Sequence, residues 1–165
     1  MEGVWGLGPR GAEKLYAKGI KSIEDLRKNE DQLTSMQKIG LKYYEDFKER
    51  IPREEVEQLL EKFRKSAYQE VKGGEKVMSV EACGSFRRGR PTCGDIDILI
   101  TLKNGTNIKG LCEKLVIKLE KEGFLKERLG DFRYSTTGSE GYMGVCQLDA
   151  KHKFRRIDIK VYPRD

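Results

Sequence analysis

Apolar residues recur at helical intervals through the first 72 residues of the chain. The segments 8–19, 22–29, 35–50 and 52–72 each space their apolar side chains three or four positions apart. Proline or serine stands at the start of three of these segments, as is typical of helix N-termini, and Gly19 is typical of a helix end. The pattern therefore predicts an all-helical N-terminal part.

The pattern changes after Lys76, where short apolar runs replace the helical spacing. The runs VMSVEAC, DIDILITL, FLKERL, GYMGVCQL and FRRIDIKVYP predict strands, and NIKGLCEKLVIKLEKEG predicts a helix that ends at Gly123. Residues 131–141 are polar and rich in turn formers. We predict an α+β protein: a helical subdomain over 1–74, followed over 75–165 by a mixed β-sheet with a covering helix.

Two of the predicted strands carry carboxylates among isoleucines. Side chains alternate between the two faces of a strand, so Asp95 and Asp97 share one face of DIDILI, and Asp158 lies on one face of RIDIKV. If the two strands are neighbours, three carboxylates converge. Their mutual repulsion would be relieved by a divalent cation such as Mg²⁺, which prefers oxygen ligands. The alternative is that each acid simply lies on a solvated strand face.

The loop before these acids favours the chemical interpretation. Gly84 and Ser85 follow a strand, three arginines come next (Arg87, Arg88 and Arg90), and Gly94 directly precedes Asp95. Glycines let a backbone approach a phosphate closely, and guanidinium groups match phosphate oxygens. A Gly-Ser loop followed by Asp-x-Asp is moderately specific for nucleotidyl transfer, in which metal carboxylates lie beside a triphosphate.

A second glycine pattern lies near the start of the chain. Gly6 and Gly8 flank Leu7 ahead of a predicted helix that carries Arg10 in its first turn. This G-x-G spacing is typical of a helix-hairpin-helix, whose tight turn directs backbone amides at a DNA phosphate without reading sequence. The alternative is an ordinary turn between two helices.

Charge and cysteine content narrow the function classes. The net charge is +6 with a pI near 9.1, and residues 73–165 account for +5 of it, which favours an anionic partner such as nucleic acid. The four cysteines include no C-x-x-C pair, and His152 is the one histidine, so a zinc site is improbable. We expect reduced thiols in an intracellular protein, and no membrane span.

Taken together, these motifs resemble those of the family X DNA polymerases. The matching stretches are GLGPRGAEKLYAKGI, SIEDLRKN, IGLKYYEDFKERIPREE, CGSFRRGRPTCGDIDILIT, YMGVCQL and RRIDIKVYP. The resemblance implies that Asp95 and Asp97 hold two Mg²⁺ ions, with Mn²⁺ possible, and that Asp158 ligates the catalytic ion.

The same resemblance implies roles for other residues. Those of the triphosphate site would be Gly84, Ser85, Arg88, Gly94 and Arg50. Arg156 would lie against the catalytic acids beside the DNA. The backbone carbonyls of Val4 and Leu7 would bind Na⁺ or K⁺ at the hairpin. Cys93 stands where some relatives have serine.

The function implied is that of a DNA-directed DNA polymerase of repair type, acting in the nucleus. It would fill gaps in base excision repair or end joining, with gapped or primer–template DNA and deoxynucleoside triphosphates as partners. We expect a monomer, although exposed palm surface would also permit a dimer.

The chain ends seven residues after Asp158, so we expect the C-terminal nucleotide-selecting subdomain to be absent. One alternative is therefore a fragment that binds DNA and metal–triphosphate with little turnover. Another is a nucleotidyltransferase that acts on RNA or protein, which the hairpin and the IPREE helix disfavour.

Overall fold

A computed structural model of the chain describes residues 3–103 and 109–163. These residues form two compact units, one extending to Glu49 and the other beginning at Arg50. The described residues of the first unit form helices joined by turns, with no strand among them. The second combines helices with a β-sheet, so the predicted α+β class is confirmed.

The first unit holds four α-helices and a short 3₁₀ turn (Glu30–Gln32) around a small apolar core. The helices are α1 (Pro9–Ala17), α2 (Ile23–Lys28), α3 (Ser35–Lys42) and α4 (Tyr44–Lys48). The core residues are Val4, Leu15, Ile20, Leu26, Leu33 and Leu41. The Ser22 hydroxyl caps α2, and Thr34 and Gln37 form a reciprocal capping box at α3.

The helical spacing over 35–50 corresponds to two helices, because helical geometry is interrupted at Tyr43 between α3 and α4. Tyr43 has φ −104° and ψ 15°, outside the helical range, and its buried ring stacks on Phe47 with 5.7 Å between ring centroids. Periodic spacing alone does not show such a break, since apolar residues on both sides keep the same intervals.

The second unit holds two α-helices, a 3₁₀ turn (Gly74–Lys76) and eight strands. Helix α5 covers Arg53–Glu70 and α6 covers Leu111–Lys121. The strands are β1 (Ile51–Pro52), β2 (Met78–Ala82), β3 (Thr92–Cys93), β4 (Ile96–Leu102), β5 (Leu125–Arg128), β6 (Arg133–Tyr134), β7 (Glu140–Cys146) and β8 (Arg155–Pro163).

Six of these strands form one sheet in the order β2-β4-β8-β7-β5, with β6 paired to β7. Strands β4 and β8 are parallel and the other pairs are antiparallel, which confirms the predicted mixed sheet. The remaining two strands, β1 and β3, form a separate antiparallel pair. The sequence did not indicate this pair, because a two-residue strand shows no periodicity.

Helix α5 packs into the core of the second unit. Its apolar side chains share a core with α6 and the sheet, and Phe63 meets Phe124 edge to face. The boundary between units therefore falls at Glu49 and Arg50, well before the boundary at residue 74 that the sequence predicts. The periodicity of α5 showed which side of the helix is buried, but not which unit buries it.

The central strands β4 and β8 have one face in the core and one face outside it. The core face consists of Ile96, Ile98, Ile100 and Leu102 from β4, and Ile157, Ile159 and Val161 from β8. The alternate residues on both strands are half-buried or exposed, and they include two of the predicted carboxylates. Among the residues described, no helix is both long enough and apolar enough to span a membrane.

Candidate functional site

The three predicted carboxylates meet on the open face of the sheet. Asp97 and Asp158 are register partners on the parallel strands β4 and β8, and Asp95 lies in the bend just before β4. Each offers a carboxylate oxygen, and these three atoms lie within 4.8 Å of one another. The predicted convergence is therefore present, although Asp95 precedes the strand instead of lying within it.

Burial and mutual repulsion both act on this cluster. Burial, followed by the charges of Asp95 and Asp158, raises the pKa of Asp97 to about 6. Burial and then Asp95 also raise the pKa of Asp158. Lys160 and Arg156 oppose both shifts without cancelling them. Two half-buried carboxylates with raised pKa values, close to a third acid, have the electrostatic character of a cation site.

Gly84 lies directly against this cluster. It has φ +65°, and a Cβ built on it would stand 2.6 Å from Oδ2 of Asp97. Both its conformation and its closeness to the carboxylate therefore require glycine. The amide of the preceding Cys83 donates a 2.8 Å hydrogen bond to the carbonyl of Asp97 and fixes this end of the loop on β4.

The loop that follows turns back on itself through backbone hydrogen bonds. The amide of Arg88 donates to the Gly84 carbonyl, and that of Arg90 donates to the Ser85 carbonyl, each at 3.2 Å. This turn brings the Arg88 guanidinium to 3.5 Å from the Ser85 hydroxyl. The side chains of Arg87, Arg88 and Arg90 are exposed. The loop thus presents hydroxyl and guanidinium donors near the carboxylates.

Arg53 holds the loop in place, and it was not among the predicted site residues. Its guanidinium stacks 4.0 Å from the centroid of the Phe86 ring and donates to the carbonyls of Phe86 (2.8 Å) and Arg90 (3.3 Å). Its own amide donates to the Pro91 carbonyl. In the sequence Arg53 is one of many arginines, and the contact spans more than 30 positions, so no local signal identified it.

Arg50 contacts the residues that follow this loop. Its guanidinium donates to the hydroxyl (3.2 Å) and the carbonyl (3.1 Å) of Thr92, and a Cβ on Gly94 would stand 3.4 Å from its Nη1. Arg50 is therefore a neighbour of the residues that lead into Asp95. The side chain of Cys93 is buried in the core, so it offers no polar group to the site surface.

Arg156 contacts the carboxylates directly, as the resemblance implies. Its Nη2 lies 3.6 Å from Oδ2 of Asp95. The next residue on the same face of β8 is Asp158, so the strand places a cation beside an acid that belongs to the cluster.

A cavity of about 260 Å³ opens beside the carboxylates. The residues that line it are Cys83, Asp97, Ile98, Leu99, Asp158, Lys160 and Tyr162. A larger cavity of about 830 Å³ lies against α1 in the first unit and shares only Leu7 and Gly8 with the predicted site. Cavity volume therefore does not identify the candidate site, because Asp97 and Asp158 line the smaller of the two cavities.

The glycine segment of the first unit forms a tight turn that leads into α1. The Leu7 amide donates to the Val4 carbonyl at 3.1 Å, Gly6 has φ +85°, and Gly8 leads into α1. A Cβ on Gly8 would meet nothing within 4 Å, so the fold itself does not require glycine there. Arg10 is exposed in the first turn of α1. A helix-hairpin-helix and its DNA contact stay predictions.

All four cysteines are free thiols. Cys93, Cys112 and Cys146 are buried and Cys83 is half-buried. Burial raises the pKa of the Cys112 thiol to about 12, which keeps it protonated and unreactive at neutral pH.

Comparison with known proteins gives two family matches that divide the chain between them. The family model for the DNA polymerase beta palm matches residues 50–164, and that for the fingers domain of DNA polymerase lambda matches residues 1–48. The change from one match to the other coincides with the division between the two compact units.

Curated proteins from a plant, a mammal and a yeast are among those that match nearly all of the chain. DNA polymerase lambda of Arabidopsis thaliana is 44% identical over 98% of the chain, and that of Rattus norvegicus is 40% identical over 97%. DNA polymerase type-X family protein pol4 of Schizosaccharomyces pombe is 31% identical over 97%. The aligned residues cover 30%, 27% and 31% of these proteins, so the chain spans about 30% of the length of each.

Proposed function

Because this chain belongs to the family X DNA polymerases, we propose that it carries the catalytic centre of a DNA-directed DNA polymerase. The reaction is transfer of a deoxynucleotide to a primer 3′-hydroxyl, with pyrophosphate as leaving group. The observation that carries the proposal is the meeting of three carboxylate oxygens within 4.8 Å on the open sheet face.

The donor set fits divalent magnesium, with manganese as a substitute. Mg²⁺ takes hard oxygen ligands and keeps part of its shell for substrate phosphates and water. Burial is the main cause of the raised pKa values of Asp97 and Asp158, and repulsion from neighbouring carboxylates adds to it; a bound cation would offset that repulsion. When two ions are bound, they supply Lewis-acid activation of the 3′-hydroxyl and neutralise charge that develops on the phosphate.

The carboxylates would divide the work by position. Asp95 and Asp97 would ligate both ions, and Asp158 would ligate one ion near the primer terminus. Asp158 would also be placed to accept the proton of the 3′-hydroxyl as a general base. Arg156, 3.6 Å from Asp95, would hold that acid in place.

The loop and Arg50 would bind the triphosphate. Gly84 permits the close approach of backbone to the carboxylates, and the Ser85 hydroxyl and the Arg88 guanidinium would donate to phosphate oxygens. Arg50, beside Gly94, would contact the same group. These donors would stabilise negative charge on the departing pyrophosphate.

The first unit would bind the DNA backbone. The amides at Gly6 and Gly8, with Arg10, would contact a phosphate, and the carbonyls of Val4 and Leu7 would bind Na⁺ or K⁺ between the turn and the DNA. The open space at Gly8 supports this role, since a phosphate could approach where a side chain is missing. Gap filling during DNA repair in the nucleus is the setting that we propose.

Extension of a primer on one-nucleotide-gapped DNA tests the proposal. We expect incorporation that requires Mg²⁺ or Mn²⁺ and falls by about a thousandfold or more in Asp158→Ala, a loss comparable to that of other strong electrostatic contributions to catalysis. Asp131→Ala removes an exposed acid outside the cluster and serves as the matched control. Equal activity in both variants would contradict the assignment of Asp158.

The same assay separates the alternatives. No extension, with Mg²⁺-dependent binding of the triphosphate retained, would make these 165 residues a binding platform. Extension that needs no template, or that prefers ribonucleotides on an RNA primer, would favour a different nucleotidyltransferase. A faster reaction on gapped than on open primer–template DNA would support gap filling.

A further inference from the structure

A buried ion pair joins α5 to β8 behind the carboxylates. Arg155, the first residue of β8, donates from Nε to Oε2 of Glu55 at 2.6 Å and from Nη2 to Oε1 at 3.0 Å. Glu55 lies in the first turn of α5. The side chains of the pair are only 6% and 8% exposed, so both charges are removed from water.

Each partner is the neighbour of residues assigned to the reaction. Arg155 is followed by Arg156, which contacts Asp95, and it precedes Asp158 by three positions. Glu55 is two positions after Arg53, which holds the loop between Gly84 and Arg90 through the carbonyls of Phe86 and Arg90. The pair therefore connects the backbone that carries a carboxylate with the helix that anchors the loop.

A third contact extends this connection to Arg50. Nη1 of Arg155 lies 3.4 Å from the Arg50 carbonyl and donates to it. The Arg50 side chain donates to Thr92. One guanidinium thus contacts both the start of α5 and the residue proposed to meet the triphosphate.

Stability alone explains this arrangement poorly. The desolvation of two buried charges offsets much of their attraction, and apolar pairs of similar volume are often as stable. A two-bond contact between guanidinium and carboxylate does fix the relative position and rotation of the two groups, which apolar packing does not. An apolar pair could therefore replace the stability of this ion pair but not its fixed geometry between α5 and β8.

We propose that Glu55 and Arg155 are positioning residues that align the triphosphate-binding side of the site with the metal-binding carboxylates. The inference rests on the proposed function. Each half of the site stands on its own set of elements, the carboxylates on β4, β8 and the bend before β4, and the donors on the loop and Arg50. The ion pair fixes the position of the donors relative to the carboxylates. A metal ion bound to the carboxylates then strengthens binding of the triphosphate to the loop and Arg50.

The experiment measures this coupling by calorimetric titration. The affinity for dATP is determined in EDTA and in Mg²⁺, and the ratio of the two dissociation constants reports the coupling. Affinity for Mn²⁺ alone is determined separately. The variants are the apolar pair Glu55→Met with Arg155→Leu, and Arg155→Lys, which keeps the charge but loses the fork.

A second two-bond ion pair supplies a matched control. Arg128 donates to Glu120 at 3.1 and 2.7 Å, between β5 and α6 and away from the predicted site residues. Its double variant is Glu120→Met with Arg128→Leu. Thermal unfolding of every variant shows whether it is folded at the temperature of the titration.

We expect the apolar pair at 55 and 155 to fold and to keep its affinity for Mn²⁺ alone and for dATP in EDTA. Its coupling ratio should fall about fivefold or more, the lower end of ordinary coupling between sites. Arg155→Lys should lose part of the ratio, and the control variant none. A ratio unchanged in folded variants at 55 and 155 would overturn the positioning role and leave the proposed function standing.

The unmodified chain distinguishes the other failure. If it binds dATP no better in Mg²⁺ than in EDTA, the proposed function is overturned, and the positioning role with it. That result is read before any variant is examined.

Discussion

The two faces of the central strands differ in what their residues do. On β8, Ile157 and Ile159 are fully buried, whereas Arg156 and Asp158, which alternate with them, face the site. On β4, Ile98 and Asp97 show the same contrast. Neighbouring residues thus serve separate purposes, because strand geometry sends one to the core and the next to the open face.

The contrast shows that the core face stabilises the sheet, whereas the acids of the open face lower its stability. The core face gains free energy from every buried isoleucine, at about 25 cal/mol per Å² of apolar surface removed from water. The open face gathers three acids, and burial together with the charges of neighbouring acids raises the pKa values of Asp97 and Asp158. Four substitutions or changes of condition test how far the two faces can be separated.

The largest effect should come from the core face. Ile159→Ala removes a fully buried side chain and should lower the free energy of unfolding by about 3 kcal/mol. The adjacent Asp158→Ala should leave that free energy unchanged or raise it. Denaturant unfolding at neutral pH measures both, and similar losses in the two variants would show that the faces are not independent.

A methyl group at Gly84 should damage the open face without entering the core. Ala at φ +65° costs about 1 kcal/mol or more, and its Cβ would meet Asp97 Oδ2, so the loop or the carboxylate must shift. We expect Mn²⁺ affinity to fall about tenfold, equivalent to about 1.4 kcal/mol. Gly89→Ala is the control: this residue also has a positive φ, but its Cβ would meet no atom within 4 Å. Equal losses of Mn²⁺ affinity would assign the effect to backbone strain alone.

Acidification should weaken metal binding through the same residues. The pKa of Asp97 lies at about 6, so at pH 5 only about a tenth of it is ionised, and Mn²⁺ affinity should fall about tenfold between pH 7 and pH 5. Titration calorimetry at several pH values measures this. In Asp97→Asn the pH dependence should be shallower, and an unchanged slope would show that Asp97 is not the titrating group.

Removing one charge should stabilise the fold slightly. The folded-state pKa of Asp97 exceeds its ordinary value of 3.8, so ionisation disfavours the folded state as pH rises through 4 to 6, and the penalty is complete above about 6. After allowance for solvent screening, Asp97→Asn should raise the free energy of unfolding at pH 7 by about 1 kcal/mol in EDTA. The gain should vanish at pH 4, where the wild-type carboxyl is largely protonated.

The sequence supported predictions wherever a short pattern carried the information. Alternation in DIDILI and RIDIKV predicted two strands with acids on one face, and the register of Asp97 with Asp158 confirms that they meet. The Gly-Ser pattern drew attention to the loop that precedes those acids, and Gly84 lies directly against Asp97, whereas the predicted approach of a phosphate to the loop stays a prediction. Each of these predictions needed only residues a few positions apart.

What the sequence did not predict depends on contacts between distant segments. The Glu55–Arg155 pair joins residues 100 positions apart, and Arg53 reaches Phe86 across 33. The β1–β3 pair has too few residues for a periodic signal. Helix α5 would show the same apolar face whether it packed in the first or the second unit. Only the tertiary structure assigns it to the second unit.

The parallel pairing of β4 and β8 has a consequence for the order of folding. A hairpin cannot join parallel strands. Asp97 and Asp158 therefore meet only when two strands separated by about 60 residues of sequence pair with each other. Such non-local closure is slow compared with the formation of a helix or a hairpin. The cation site is thus among the late-forming parts of the molecule, and a metal ion that binds there would act as a latch that slows unfolding.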